Sequence, residues 1–208
     1  MTDLDVDIFD REAKFIERTL APLTTEFPAL RVILEHITTE DSVNFVTESR
    51  PGVAATITPQ HLLFDRNDML VGGIRPHLFC LPILKRRQHK EALRRAAISG
   101  NPKFFIGTDS APHTVETKES SCGCAGCYSA HAAIPLYAEV FEEENSLDKL
   151  EAFTSHFGAD FYGRARNDET IDLVRVDYLS PESLRFGPST VVPLRAGELL
   201  KWRLEKTQ

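Results

Sequence analysis

Lys103-Phe-Phe-Ile-Gly-Thr-Asp109-Ser-Ala-Pro-His113 is the stretch of sequence that most constrains the fold. Its short apolar run is typical of a buried strand, and the run leads into an aspartate and then a histidine. In parallel α/β proteins the carboxyl ends of strands face the crevice where ligands bind, and in α/β barrels this face holds the catalytic groups. Asp109 is therefore a candidate functional residue. The alternative is that Asp109 only caps the turn after the strand, and this segment alone leaves both interpretations open.

Two other apolar runs end in similar residues. Arg31-Val-Ile-Leu-Glu-His36 ends in a histidine, and the run that begins at Val53 is followed by Thr58, Gln60 and His61. A lone histidine at a strand end is more often structural than a ligand, but several strand ends with His or Asp favour a shared site. Histidine nitrogen and carboxylate oxygen are ligands of catalytic zinc. The pattern therefore indicates a metal site that includes His36 and Asp109.

Hydrophobic spacing along the chain predicts alternating strands and helices in an α/β fold. An alternation of this kind implies a parallel sheet with right-handed crossovers. We expect one domain over residues 1–208, with a Cys-, Ser- and Gly-rich loop after residue 110. The predicted strands are 31–36, 53–58 and 103–107, with short ones at 172–178 and 191–194; the predicted helices are 9–27, 39–48, 84–99 and 147–156, and 132–141 is an apolar-patterned segment.

Composition narrows the class of protein. The 208 residues are 42% hydrophobic and 26% charged, which is ordinary for a globular protein. The net charge of −7 argues against nonspecific nucleic-acid binding, which needs a basic surface. No apolar run approaches the length of a membrane span, and the acidic start is unlike a secretory signal, so we expect a cytoplasmic protein. The basic run that begins at Lys85 is predicted to be the solvated face of a helix.

A cluster of cysteines allows two interpretations. Cys122, Cys124 and Cys127 with His131 have the spacing of a structural zinc knuckle. The alternative is a tight loop of small residues whose backbone amides approach a ligand. Spacing alone favours metal slightly over the loop, and a disulfide is least expected in an intracellular chain.

Six runs spread over the chain occur together: Asp7-Ile-Phe-Asp-Arg-Glu-Ala, Glu35-His36-Ile-Thr-Thr, Ala55-Thr-Ile-Thr-Pro-Gln-His-Leu, Gly73-Ile-Arg-Pro-His-Leu-Phe-Cys-Leu-Pro-Ile-Leu-Lys-Arg, Gly107-Thr-Asp-Ser-Ala-Pro-His113 and Lys118-Glu-Ser-Ser-Cys-Gly-Cys-Ala-Gly-Cys. They resemble the single-function bacterial and fungal type of dihydroorotase, a zinc amidohydrolase of pyrimidine biosynthesis. The family has an eight-stranded TIM-type (β/α)8 barrel. The resemblance implies that this chain supplies its last three barrel strands, with their helices, and a C-terminal extension.

The resemblance also implies roles for individual residues. His36 corresponds to a ligand of one zinc, and Asp109 to a ligand of the other and to the proton shuttle. His113 corresponds to a residue near the substrate carboxylate, and the backbone at Leu81 and Ala125 to further substrate contacts. The cysteine run then becomes a substrate-side loop, which replaces the preference for a zinc knuckle. The implied reaction is the reversible hydrolysis of dihydroorotate to carbamoyl aspartate.

Other family residues have no counterpart in the sequence. These are a His-x-His pair, a carboxylated lysine that bridges both zinc ions, a further histidine ligand, and an Arg and an Asn that hold the substrate. We therefore expect the C-terminal part of a dihydroorotase with an incomplete two-zinc site. The expected partners are the small-molecule substrate and, in a homodimer, a second copy. The alternative is a catalytically inactive remnant that acts as an interaction module.

Overall fold

The computed structural model describes residues 3–205, and its centre is a three-stranded parallel sheet. The strands are β1 (Val32–Leu34), β2 (Val53–Ile57) and β3 (Phe104–Ile106), in the order β1-β2-β3. Ile33 is paired with Ala54 across the first ladder, and Ala55 with Phe104 across the second. The predicted parallel α/β arrangement is confirmed, and all three carboxyl ends lie at one edge of the sheet.

Helices connect the strands and cover the sheet. Thr39 caps the helix after β1 by accepting a hydrogen bond from the Ser42 amide, as Thr residues often do at this position. The predicted helix 9–27 is interrupted by a π-helical turn. The helical segments before β3 are Arg11–Phe15, Ile16–Leu20 (π), Ala21–Glu26, Glu40–Glu48, Pro59–Leu63, Arg66–Leu70, Pro76–Leu78 (3-10) and Arg87–Ala97.

The basic run differs from its sequence-based prediction. Its helix begins at Arg87, so Lys85 lies before the helix and not on its solvated face. Lys85 is buried, and its Nζ donates a hydrogen bond to the Ile83 carbonyl at 3.0 Å. Burial lowers the pKa of Lys85, and the charge of the buried Glu12 opposes that effect. A run of basic residues therefore contains one lysine that belongs to the interior.

The main hydrophobic core combines residues of the sheet with residues of helices Glu40–Glu48, Arg87–Ala97 and Ala133–Glu143. β2 is buried along its whole length, as expected of a central parallel strand. Tyr137 of helix Ala133–Glu143 donates a hydrogen bond from its hydroxyl to the Ile57 carbonyl at 2.6 Å. Phe153 packs against the rings of Tyr137 and Phe141. The helical segments after β3 are Val115–Lys118, Ala133–Glu143, Leu147–Lys149 (3-10), Ala152–His156 (π) and Phe157–Tyr162.

The C-terminal part forms two antiparallel pairs. β4 (Asp172–Leu179) pairs with β7 (Leu199–Glu205), and β5 (Leu184–Phe186) pairs with β6 (Ser189–Val191). The buried Glu139 of helix Ala133–Glu143 accepts hydrogen bonds from the Lys201 amide and from Arg195. These bonds hold the C-terminal part against that helix. The strand predicted at 191–194 is only partly formed, because β6 ends at Val191 and Pro193 makes only an isolated bridge to Tyr128. No helix among residues 3–205 is both long and apolar enough to cross a membrane.

Candidate active site at the strand ends

His36 and Asp109 come together at the carboxyl edge of the sheet. His36 follows β1 and Asp109 follows β3, and His36 Nδ1 lies 3.8 Å from Asp109 Oδ2. About a quarter of each side chain is exposed, at 25% and 27%. Both residues have positive φ, 58° for His36 and 43° for Asp109, a conformation that non-glycine residues rarely adopt. Such backbone outliers cluster at functional sites, because the surrounding structure must hold them there.

β2 lies between β1 and β3 and contacts the segments that carry His36 and Asp109. The Thr56 hydroxyl accepts a hydrogen bond from the His36 amide at 2.8 Å, and the Thr56 carbonyl accepts one from Ile37. On the other side, Gly107 lies so close that an added Cβ would be 2.4 Å from Thr56 Cβ. Only a residue without a side chain fits there. Thr56 therefore couples the position of His36 to that of the segment leading to Asp109.

The Asp109 carboxyl sits in a mixed electrostatic environment. Partial burial raises its pKa above the ordinary value, His36 opposes the rise, and Glu35 adds to it. The pair thus combines a nitrogen and an oxygen donor that point into the same partly open edge of the sheet. This donor set fits part of a zinc site, since zinc accepts both ligand types but needs about three or four of them.

His113 and Ala125 are direct neighbours. A ring nitrogen of His113, Nε2, lies 3.1 Å from the Ala125 carbonyl oxygen. The loop that carries Ala125 is held against the segment that carries His113, because the Ala111 amide donates a hydrogen bond to the Cys127 carbonyl at 2.9 Å. At Gly126 an added Cβ would lie 2.7 Å from Ala111 and 2.9 Å from the His113 ring. The small residues of this loop therefore permit close packing against the segment that carries His113.

Leu81 lies on a neighbouring loop. The residue is 54% exposed, so it is accessible from solvent. This loop meets the cysteine loop through the Gly126 amide, which donates to the Phe79 carbonyl at 2.9 Å. The structure thus joins the loop of Leu81 to the loop of Ala125, and the latter to His113.

The cysteine loop does not gather its side chains around one point. Cys122 and Cys124 are 3.9 Å apart at sulfur and at least partly exposed, whereas Cys127 is buried. His131 packs against the Tyr128 ring, away from a shared centre. Within residues 3–205, no group of three or more His, Cys, Asp or Glu side chains is arranged to hold a metal ion.

The end of β2 carries buried side chains. Thr58 caps the helix after β2, and its hydroxyl is 2.6 Å from His61 Nδ1. The other ring nitrogen of His61 lies 2.9 Å from the Pro82 carbonyl oxygen. His61 and Gln60 are both buried. The sequence pattern groups these residues with His36 and Asp109, but the structure gives His61 a bridging role between β2 and the loop of Leu81.

Glu12 is a structural residue that the sequence pattern does not reveal. Its buried carboxylate accepts hydrogen bonds from the amides and hydroxyls of Thr38 and Thr39 and from the Ser42 hydroxyl. Burial alone raises the pKa of Glu12, but these bonds and the charge of Lys85 outweigh it and lower the pKa. The chain just after His36 is therefore anchored by Glu12. The signal in the sequence is the Thr-Thr pair after His36, which by itself indicates only a helix cap.

Comparison with known proteins first identifies the fold. No protein-family profile matches the chain. Among solved structures, the L-hydantoinase of Arthrobacter aurescens superposes with a TM-score of 0.71 over 91% of this chain and 45% of its own, at 18% identity. At that identity the likeness shows a shared fold alone. The class defined so far is an α/β protein that shares its fold with this L-hydantoinase and has an Asp–His pair at its strand ends.

More similar relatives are dihydroorotases. The chain is 61% identical to the dihydroorotase of Marinobacter nauticus over 98% of its length, and 62% identical to that of Stutzerimonas stutzeri over 99%. The crystal structure of dihydroorotase from Saccharomyces cerevisiae in complex with 5-fluoroorotic acid superposes with a TM-score of 0.87 at 36% identity, over 97% of this chain and 58% of that one. The chain is therefore a homologue of the dihydroorotases, which confirms the resemblance found in its motifs. It spans 60% and 59% of the two curated relatives.

Proposed function

We propose that the chain is the C-terminal part of a zinc-dependent dihydroorotase, which reversibly hydrolyses the cyclic amide of dihydroorotate to carbamoyl aspartate. The observation that carries the proposal is the approach of His36 Nδ1 to Asp109 Oδ2 at 3.8 Å in a homologue of these enzymes. In this proposal His36 is a ligand of one zinc and Asp109 a ligand of the other. Bound zinc would supply an activated water and polarise the amide carbonyl.

The chain's own residues then have distinct tasks. The Asp109 carboxylate accepts the proton of the attacking water and returns it to the ring nitrogen that leaves. His113 binds the substrate carboxylate, and the main chain at Leu81 and Ala125 contacts the rest of the substrate. The contacts between the loops of His113, Ala125 and Leu81 support a common substrate side for these three residues.

The proposal includes a fold larger than the described residues. β1, β2 and β3 are assigned to the last three strands of an eight-stranded barrel. Support comes from their parallel order, from outer edges of β1 and β3 that pair with no strand within residues 3–205, and from the 58% share of the yeast structure that is matched. Residues 1–208 are assigned to a single amidohydrolase-like domain, as the C-terminal portion of this barrel, and the complete cytoplasmic enzyme is assigned as a homodimer.

A complementation experiment tests the proposal. The chain is co-expressed with the segment of the Marinobacter nauticus dihydroorotase that it does not match, and the purified complex is assayed with dihydroorotate. We expect zinc-dependent hydrolysis by the complex and none by the chain alone. The reason is that His36 and Asp109 give each metal one ligand, whereas a catalytic zinc needs about three.

The controls are His36→Ala in the site and His156→Ala outside it. The first is expected to remove zinc and activity, and the second to keep both. A well-folded complex that binds zinc without turnover would contradict the enzymatic proposal and favour the alternative, an inactive interaction module. A zinc-dependent rate in the chain alone would contradict the assignment of an incomplete site.

A further inference from the structure

Lys118 makes an unusual set of contacts for a lysine. It is buried, with 2% of its surface exposed, and follows the segment of Asp109 and His113. Its Nζ donates hydrogen bonds to the carbonyl oxygens of Phe79 at 2.7 Å, Cys124 at 2.8 Å and Gly126 at 2.8 Å. An ammonium group has three donors, and all three have partners at short distances.

The three carbonyls bracket the proposed substrate contacts. Cys124 and Gly126 are the two neighbours of Ala125, and Phe79 is two residues before Leu81. The Gly126 amide also donates to the Phe79 carbonyl, so the two loops meet at the Lys118 ammonium. One charged group thus joins its own helix to two separate loops of the chain.

We infer that Lys118 is a positioning residue, whose ammonium group holds the loops of Leu81 and Ala125 in the geometry needed to bind substrate. This inference rests on the proposed function and deepens it. Burying an ammonium is costly, and it is tolerated only where its hydrogen bonds are complete. Burial lowers the pKa of Lys118, and the neighbouring cysteines oppose that effect. Three short bonds from one rigidly placed group fix both loops more closely than loop-to-loop contacts alone.

Lys103 provides a matched control. Its Nζ also donates to three main-chain carbonyls, those of Val46, Thr47 and Ser49, at the end of helix Glu40–Glu48. Lys103→Met therefore removes the same kind and number of bonds at a place remote from the loops. The comparison separates a positioning effect from a general loss of stability.

The first measurement is hydrogen exchange of the 208-residue chain followed by mass spectrometry. In Lys118→Met we expect faster exchange in segments 79–82 and 122–127 and unchanged exchange elsewhere, whereas Lys103→Met loosens only the region of 46–49. If Lys118→Met does not fold, Lys118→Arg gives the same comparison, since its planar fork cannot direct three donors to these converging carbonyls. Unchanged protection of the two loops, or equal loosening by Lys103→Met, would overturn the inference.

The second measurement uses the reconstituted enzyme. Lys118→Met is expected to raise KM for dihydroorotate about 10- to 100-fold, because misplaced binding groups lose productive contacts, while kcat falls less. Lys103→Met should leave KM unchanged. An equal effect of both variants on KM would show a merely structural role. If the unsubstituted complex has no activity, the proposed function fails, and the exchange experiment still decides the role of Lys118.

Discussion

At the scale of single residues, substitutions of Asp109 and His113 are expected to affect different kinetic quantities. In the reconstituted complex, Asp109→Asn should lower turnover by about 100- to 10,000-fold, because the amide cannot accept the proton. His113→Ala should weaken substrate binding by about 1.5–3 kcal/mol, the worth of a hydrogen bond to a charged group. Steady-state kinetics measure both.

The zinc content of Asp109→Asn must be determined beside the rates, since Asp109 is also a proposed ligand. Near-normal turnover of Asp109→Asn at full zinc occupancy would contradict the catalytic role and favour the other interpretation of the sequence, in which Asp109 only caps the turn.

His61 is expected to make stability depend on pH. Burial lowers its pKa to about 4, so the folded state keeps the ring neutral, whereas in the unfolded chain it titrates near 6.5. The contribution of neutral His61 is therefore fully present above pH 6.5 and is lost as the pH falls towards 4. From this shift we expect a loss of about 3 kcal/mol over that window.

Urea unfolding of the chain at several pH values measures this effect. His61→Gln should lower stability at neutral pH but reduce the dependence on pH between 6.5 and 4. His156→Gln, at a partly exposed histidine, is measured beside it as the control. Identical slopes in the unsubstituted chain and in His61→Gln would show that another group is responsible.

At the scale of secondary structure, the close approach of β2 and the end of β3 depends on Gly107. Gly107→Ala would bring its Cβ to 2.4 Å from Thr56 Cβ, so the strands must separate or Thr56 must move. Overpacking of this kind typically costs about 1–3 kcal/mol. We also expect faster exchange of the His36 amide, because Thr56 is its acceptor.

Gly158→Ala is the control for this prediction. There an added Cβ would lie 3.3 Å from the Phe105 ring, and the residue sits in a helix where alanine is favoured. Its free energy of unfolding should change by less than about 1 kcal/mol. Equal stability of the two variants, with His36 protection retained, would show that the strands do not need glycine at position 107.

At the scale of the whole molecule, the open sheet should make the isolated chain associate. β1 and β3 present outer edges that pair with no strand within residues 3–205, and unpaired edges are templates for further pairing. Sedimentation of the purified chain should show self-association. When the complementary dihydroorotase segment is added, we expect a complex of defined size instead.

A lysine on an edge strand opposes pairing. Ile33→Lys on β1 should therefore reduce self-association, whereas Leu204→Lys on the C-terminal pair, at a residue that is already 42% exposed, should not. A stable monomer of the unsubstituted chain would contradict the assignment of open edges.

Local elements and the homology to the dihydroorotases follow from the amino-acid sequence alone. The spacing of apolar residues predicts β1, β2 and β3 and most of the helices between them, because strand and helix periods extend over a few neighbours. It also predicts that His36 and Asp109 meet, because parallel strands end at one edge. The six motifs are sufficient to indicate a relative of the dihydroorotases.

Tertiary contacts separate similar-looking residues into different roles. His61 follows a strand as His36 does, yet its ring bonds to Pro82, which is 21 residues away. Glu12 reaches Thr38 across 26 residues, and Lys118 reaches Phe79 across 39. Contacts over such separations have no periodic signature in the sequence. Whether a charged side chain lies in the interior or at the surface depends on partners that the fold alone brings to it.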